Sequence, residues 1–556
     1  MRTEMRIAWK PWELASIAAL TAIFIVIATI NLGALEIPSS CWQPHDHGTD
    51  TGTGTGIDEV VLDFGAVQPL GDVYIFLRDA NRTEFDLYGS TSTSTPPGGD
   101  GWRKLYSYDN LEKVHFCNWD KIELNTNARF LKFHFTNEST GKIGEILVLS
   151  RANRRIAIEN VEGENGSRLI DEQDRVQLPV TQKDGAYFDE MYFVRTAWEY
   201  LNLKEPYEWT HPPLGKLIIA LGILIFGMNP FGWRFLGVLA AAAMIPIMFS
   251  LSRLMFKSGG AGIFAASLLT FDFMHFSLAR LATGEIYLAL FSLLSFFFAF
   301  LYLYRGSPYA LFLSIVSCGL CFTVKWTAFF GFIAILALML VCKKRDWQLI
   351  LAGLLVSAAI YLASYIPSML AGGGHGLIDV FKLQFSMFGY HAGIRATHPF
   401  SSPWWSWQLM LKPLWMYSNT LDGTGTVSTV VLMGNPAVWW GSIPALGFIV
   451  IQRLIRKFDY TALFIILPFL LLWLPYALIT RILFIYHFVA DVPFMILAIT
   501  YCMMMLQEKR RLFLFAMLSF VILAVALFAL FYPVISGYPI TVGYKDSLKW
   551  LTGWIF

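Results

Sequence analysis

Apolar residues along this chain form long blocks, separated by one extended polar region near the start. The first block runs from about Leu14 to Leu35. Residues 36–187 are mostly polar, and within them the period changes to short alternating runs such as "VVLDFG", "DVYIFLR", "RFLKFHF" and "EILVLS". A period of two bounded by Gly, Asn, Pro and Ser predicts strands, so residues 57–152 are expected to form a small β-sandwich. From Leu214 the apolar blocks follow one another, many near the ~18–20 residues that a bilayer crossing needs. Spans are expected near 233–256, 261–278, 286–304, 308–324, 327–342, 347–369, 429–451, 460–479, 483–506 and 512–532. With the first block these make about eleven transmembrane helices. The run at 214–228 is too short to cross independently and is expected to lie on the membrane surface or re-enter it.

Composition supports this. Apolar residues make up 56% of the chain and charged ones 15%, and mean hydropathy is +0.52. A polytopic membrane protein is the class such values define. The net charge of +2 decides little, because in a membrane protein the distribution of charge between the two sides matters more. No basic, aromatic-interleaved tract points to nucleic acid. Basic clusters at Arg253/Lys257, Arg305, Lys343–Arg345, Arg453–Lys457 and Glu508–Arg511 are expected to be cytoplasmic. Arg2, Arg6 and Lys10 precede a first block that is long for a signal peptide, and "LEIPSSCW" is a poor cleavage site. The reading is therefore a retained first helix with a cytoplasmic N-terminus, in the plasma membrane of a prokaryote or an ER-type membrane. The expected organisation is 1–35 N-terminus and first helix, 36–56 linker, 57–152 sandwich and 153–232 external loop with surface helices. The transmembrane core follows at 233–532 with a large external loop at 371–428, then an external tail at 533–556.

That topology gathers the ionisable residues at one end. Asp189, Glu190, His211, Lys216, Arg234, Arg280, Glu285, Lys325, His391, His398, Arg481 and His487 all fall at or near the external face. Ionisable groups beside hydrocarbon are costly unless used or paired; snorkelling explains any one of them as well as function does, but explains the set less well. A carboxylate beside several cations suits transfer from a lipid-linked sugar phosphate: Arg or Lys steadies the departing phosphate and a carboxylate takes the proton of the attacking hydroxyl. Adjacent Asp189 and Glu190 point about 100° apart on a helix and cannot share one role. One would face the reacting centre and the other orient a cation or a backbone group. "HPPLGK" supplies a stiff turn that could hold His211 and Lys216 at the head of the surface helix. With no Gly-rich phosphate loop and no alternation of strand and helix, a soluble nucleotide-sugar donor does not fit. The polar region being outside, Cys41 and Cys117 are a candidate disulfide, whereas Cys318 and Cys321 read as packing residues. His45, Asp46 and His47 read as solvated linker, Asn81, Asn137 and Asn165 begin sequons, and His275 and His375 are left outside the site. Trp404, Trp405 and Trp407 fit an interfacial belt better than a sugar platform.

From about Tyr187 to Met503 the sequence resembles the protein O-mannosyltransferases, membrane enzymes of the GT-C class. The resemblance rests on "FDEMYF" with "HPPLGK", "WRFLGVLAAAAMIP", "FDFMHFSLARLATGE", "VKWTAFF", "YHAGIRATHPFSSPWWSWQLMLKPLWMY", "GNPAVWWGS" and "RILFIYHFVADVPF", in that order. It implies transfer of mannose from a dolichyl or polyprenyl phosphate to Ser or Thr hydroxyls of secreted or membrane proteins, with inversion. A carboxylate beside His211 or His391 could hold a metal, but no ligand spacing demands one, and neither a metal nor another cofactor is expected to be required. Asp189 is then the base and Glu190 its acidic neighbour. Arg234, Lys216, Arg280, Lys325 and Arg481 are candidates for the lipid phosphate. His211, Glu285, His391, His398, Trp404 and Trp405 are candidates for the donor or acceptor site. Glu285 stands where relatives more often have Asp, and the β-trefoil insertion of eukaryotic members is absent after His398. The sandwich resembles a discoidin or galactose-binding-like module, which implies a role in holding glycan or acceptor. The rival readings are transfer of another lipid-linked sugar to a lipid or glycan, as in aminoarabinose-transferring relatives, and a non-catalytic transporter or glycan receptor. A transporter should show an internal repeat, and none is visible.

Overall fold

The computed structural model describes residues 9–44, 58–92, 101–111, 114–344, 346–371, 376–421 and 425–556. The linker histidines His45 and His47, with Asp46, and also His375, lie outside the described residues.

Helix α1 (Pro11–Thr29) leads into the polar region. There the strands β1 (Glu59–Leu77), β2 (Glu84–Ser90), β3 (Arg103–Asp109), β4 (Asn118–Phe135), β5 (Ile143–Ser150) and β6 (Asn160–Glu162) form one six-stranded sheet. Its order is β3-β2-β4-β1-β5, with β6 on the other stretch of β1. The 19-residue β1 and 18-residue β4 pair along most of their length. Register shifts at Asp63/Gln68 and Leu70/Asp72 bend the pair, as bulges do. The alternating residues Val60, Leu62, Leu131, Phe133 and Phe135 face a separate apolar core. The sheet domain is continuous, with long strands shared between its parts. Cys41 and Cys117 are both free thiols, which corrects the expected disulfide. Cys117 lies at φ +49° with its sulfur against Arg78 at 3.7 Å, and burial pushes its thiol up to about 11.

The membrane core begins with α2 (Glu190–Leu201) and the short apolar α3 (Leu214–Phe226), followed by α4 (Pro230–Phe256), α5 (Gly259–Thr270), α6 (Phe273–Ala279) and α7 (Glu285–Arg305). Next come α8 (Pro308–Val324), α9 (Ala328–Val341), α10 (Trp347–Ser364), α11 (Ile366–Leu370) and α12 (Leu377–Gly393), then the strands β7 (Leu414–Thr420) and β8 (Thr426–Leu432). The chain ends with α13 (Pro436–Ile449), α14 (Tyr460–Trp473), α15 (Val492–Met504), α16 (Arg510–Ser536), β9 (Ile540–Thr541) and α17 (Val542–Ser547). Among the described residues eight helices are long and apolar enough to cross a membrane, or nine if the bent pair α5–α6 is one span. The shorter apolar α8 and α9 occupy two more of the expected positions.

Two expected spans differ. The 261–278 run is broken, because Asp272 accepts the amides of Met274 and His275 and starts a new helix bent by 58° from the first. The 429–451 run begins as the β-branched strand β8, and its helix starts only at Pro436, behind the Asn435 cap. Caps of the same kind, Asn229 for α4 and Ser258 for α5, set where other helices start. Glu13 of α1 and Arg253 of α4 form a buried pair at 2.8 Å. It brings the start of the first helix to the end of the bundle that carries Arg253 and Lys257.

Candidate active site

The acidic pair sits where α2 begins. Asp189 caps that helix by position, but its side chain makes no cap bond. Phe188, before it, is at φ +52°, a conformation that costs a bulky residue roughly 1–3 kcal/mol and is tolerated where the surroundings enforce it. Glu190 is fully buried and saturated. Its Oε1 accepts from Arg234 Nε at 2.8 Å and from the Ala282 amide at 2.8 Å, and its Oε2 accepts from Arg234 Nη2 at 2.7 Å. Arg234 donates further to the carbonyls of Leu32 at 2.8 Å and Gly185 at 2.7 Å. The pair thus ties the segment after α1, the approach to α2, helix α4 and the 280–284 turn into one knot.

Asp189 is the freer acid. It is half-buried, and no hydrogen bond or ion pair among the described residues engages its carboxylate. Burial, and then the neighbouring Glu285, push it up to about 7, against the pull of Lys325. Glu285 opens α7, where the helix N-terminus favours an anion, and takes Lys325 from the end of α8 at 2.8 Å. Lys325 also lies 5.2 Å over the ring of Tyr486. The Tyr486 hydroxyl lies within the electrostatic reach of Asp189, Glu285 and Arg481.

Beside this group lies a cavity of about 590 Å³, with His211, Lys325, His391 and Arg481 on its polar wall. Arg481 Nη1 approaches His391 Nδ1 at 2.9 Å, and His391 Nε2 approaches the Thr210 carbonyl at 2.8 Å. Arginine can only donate, so Nδ1 accepts and Nε2 carries the proton. Burial and then His211 and Arg481 lower His391 to about 4, consistent with a neutral ring that aims Arg481. His211 Nδ1 lies 2.9 Å from Glu208 Oε1. Burial alone would raise Glu208, but Lys216 and His211 outweigh it and hold the carboxyl below the usual range. Phe322 and Phe329 are shared with a second, almost wholly apolar cavity of about 460 Å³ between α8, α9, α10 and α12.

Several candidates are used elsewhere. Arg234 is locked on Glu190 and two carbonyls through four of its five N–H groups and is about 1% exposed, so it is a fastening of the frame and not a ligand of the phosphate. Lys216 is fully buried, held by Glu208 Oε2 at 2.5 Å and by the carbonyls of Glu208 and His211. Arg280 binds the carbonyls of Ala28, Ile30, Asn31 and Ser536, fastening the end of α1 to the end of α16. His398 lies against Phe484 and takes the Phe400 amide at 3.1 Å, ordering its loop. Trp404 packs on Trp473, Trp405 is exposed and Trp407 is core; none lines the cavity. His275 is buried against the Ala241 carbonyl at 3.1 Å. Sequence reasoning missed Glu208 and Tyr486. The signal for Glu208 was present, since a lysine placed at the head of an apolar helix needs a counter-charge and Glu208 stands eight positions before it.

Helices whose like ends collect an uncommitted acid and cations over a lipid-sized groove define a class, the membrane glycosyltransferases of the GT-C type. The fold is similar to that of the S. cerevisiae protein O-mannosyltransferase Pmt1-Pmt2 complex bound to the sugar donor, with a TM-score of 0.59, 13% identity and coverage of 66% of this chain and 89% of that one. Residues 210–407 match the family model described as dolichyl-phosphate-mannose-protein mannosyltransferase. Residues 377–554 match that of the C-terminal four-transmembrane region of protein O-mannosyltransferase. A polyprenol-phosphate-mannose–protein mannosyltransferase of Mycobacterium tuberculosis is 27% identical over 453 residues, 66% of this chain and 86% of that protein. Its counterpart in Mycolicibacterium smegmatis is 25% identical over 450 residues, 66% of this chain and 87% of that protein. The chain belongs to the protein O-mannosyltransferase family.

Proposed function

We propose that the protein moves mannose from a polyprenyl-phosphate carrier to Ser or Thr hydroxyls of proteins. The observation that carries the reading is the junction of the two cavities. Lys325 and Arg481 stand at the polar one, the apolar one continues from it past Phe322 and Phe329, and Asp189 is held free beside Lys325. The phosphate sits by the cations and the isoprenoid chain fills the apolar groove. The acceptor oxygen attacks the anomeric carbon, its proton passes to Asp189, and the bond from that carbon to the phosphate oxygen breaks with inversion. The charge left on the lipid phosphate is met by Arg481 and Lys325, and the reaction needs no metal. The site faces away from the cytoplasm, since the basic clusters Arg253/Lys257 and Arg453–Lys457 end helices at the opposite pole. The sheet domain holds acceptor or glycan near the site. It meets the core where Asn419 of β7 donates to the Tyr74 hydroxyl of β1 at 3.4 Å and Phe116 packs on Trp198 of α2.

Purified protein given polyprenyl-phosphate [³H]mannose and a Ser/Thr-rich peptide should label the peptide, in chelator as in buffer. Donor that binds without ever labelling peptide would overturn the protein-acceptor reading. The groove has its own test. Ala358→Trp, within the apolar cavity, should raise KM for a long-chain donor at least about tenfold, since each CH₂ kept from burial forfeits roughly 0.8 kcal/mol. A donor with a chain too short to reach the groove should be used equally well by both proteins.

A further inference from the structure

The polar wall of the donor cavity is not uniform. Lys325 and Arg481 offer charged donors, which suit phosphate oxygens. His211 offers the opposite. Glu208, buried and paired with Lys216 at 2.5 Å, is a carboxylate and accepts only, so the 2.9 Å contact with His211 Nδ1 places the ring proton on that nitrogen. Thr210 Oγ1 also donates to Glu208 Oε1 and lies 3.1 Å from Nδ1, which closes that side of the ring. In the neutral ring that tautomer keeps its lone pair on Nε2; the ring lines the cavity, and no hydrogen bond among the described residues reaches that nitrogen. The neighbouring His391 sits edge-on, 5.1 Å between ring centroids, with both its nitrogens committed to Arg481 and Thr210.

A lone pair facing the donor's ionised phosphodiester gains nothing, because that phosphate has no proton to give. Facing a sugar it accepts a hydroxyl. Resting on the reading of this cavity as the donor site, we propose that His211 Nε2 accepts a hydrogen bond from a hydroxyl of the transferred hexose, with Glu208 as the positioning residue that fixes its tautomer. Lys216, buried behind Glu208, keeps that carboxylate ionised. The consequence is a division of labour along one wall. Cations hold what donor and product share, and the Glu208–His211 dyad holds only what the product has lost, so the dyad favours the glycosylated lipid over the spent carrier.

The test compares binding of polyprenyl-phosphate mannose with that of bare polyprenyl phosphate to the full-length protein in detergent. The ratio of the two Kd values is the contribution of the sugar. His211→Leu should lower that ratio about tenfold, one well-made hydrogen bond in a desolvated site, with the Kd for bare polyprenyl phosphate within twofold of wild type. Glu208→Gln combined with Lys216→Met, which leaves no buried cation unpaired, should lower it in the same sense. In wild type one of the monodeoxymannosyl donors should bind about tenfold more weakly, and that penalty should vanish in His211→Leu. A ratio unchanged in His211→Leu overturns the proposal, as does a bare-phosphate Kd that rises in step with the donor's, or a deoxy penalty that persists in the variant. If wild type binds neither lipid, the donor reading of the cavity fails first and the proposal falls with it.

Discussion

Asp189→Asn should bind polyprenyl-phosphate mannose as wild type does and transfer mannose about a thousandfold more slowly, within the 10²–10⁴ range that a positioned general base supplies. The expectation comes from what Asp189 lacks. Glu190 is fully engaged by Arg234 and the amides of Ala282 and Tyr187, Glu285 by Lys325 and Glu208 by Lys216, whereas the Asp189 carboxylate keeps all its acceptor capacity for a ligand. It also has the acidity for the task, because burial and Glu285 push it up to about 7. The sign follows directly. The carboxyl is neutral below that pH and cannot take a proton, so wild-type kcat/KM should fall with falling pH, with a midpoint near 7 and about tenfold per pH unit below it. The amide has no such ionisation, so the residual rate of Asp189→Asn should be flat through that range. Stability provides the control: Asn replaces a half-buried acid that has no partner, so Tm should not fall. A variant that transfers at the wild-type rate, or a wild-type profile with no inflection near neutrality, would remove Asp189 from the chemistry.

The membrane class, the helix order and the acidic site were legible because they depend on local pattern. Long apolar blocks announce spans whatever they pack against. Two adjacent carboxylates cannot face one centre, so the division between Asp189 and Glu190 follows from helix geometry alone. The roles of the cations were not legible. Charge can be read from sequence, but not what it will be paired with, and the partners of Arg234 and Arg280 are carbonyls 202 and 252 positions away at Leu32 and Ala28. These carbonyls need donors because the chain turns there, which only the fold reveals. Short apolar runs carry a similar ambiguity. Nothing in "TVSTVVL" decides between the first turns of a span and the strand that β8 becomes, apart from its β-branched residues. The Asp272 cap was readable in principle, since an acid inside an apolar run needs a use, and capping the broken helix is that use.

Breaking the knot at Glu190 should be the most damaging single change to folding. The Arg234 guanidinium is about 1% exposed and the Glu190 carboxylate 0%, so removing either partner strands a charge away from water, at a cost of about 3–5 kcal/mol. Glu190→Ala and Arg234→Met should therefore each lower Tm sharply and leave little protein in the membrane. Replacing both partners with apolar residues of similar volume removes the stranded charge, so Glu190→Leu with Arg234→Met should recover much of the lost Tm. Activity should not return with it. The pair also holds the Ala282 amide and the Gly185 carbonyl, which flank Glu285 on one side and Asp189 on the other. A leucine and a methionine can fill that space but cannot hold those groups in place. What survives in the double variant then separates the two roles open to Arg234. If it contacts the lipid phosphate, the folded double variant will have lost affinity for polyprenyl phosphate. If its work is to hold the frame around Asp189, that affinity will be kept while kcat falls, and the burial of Arg234 with four of its five N–H groups bonded within the protein predicts the second outcome.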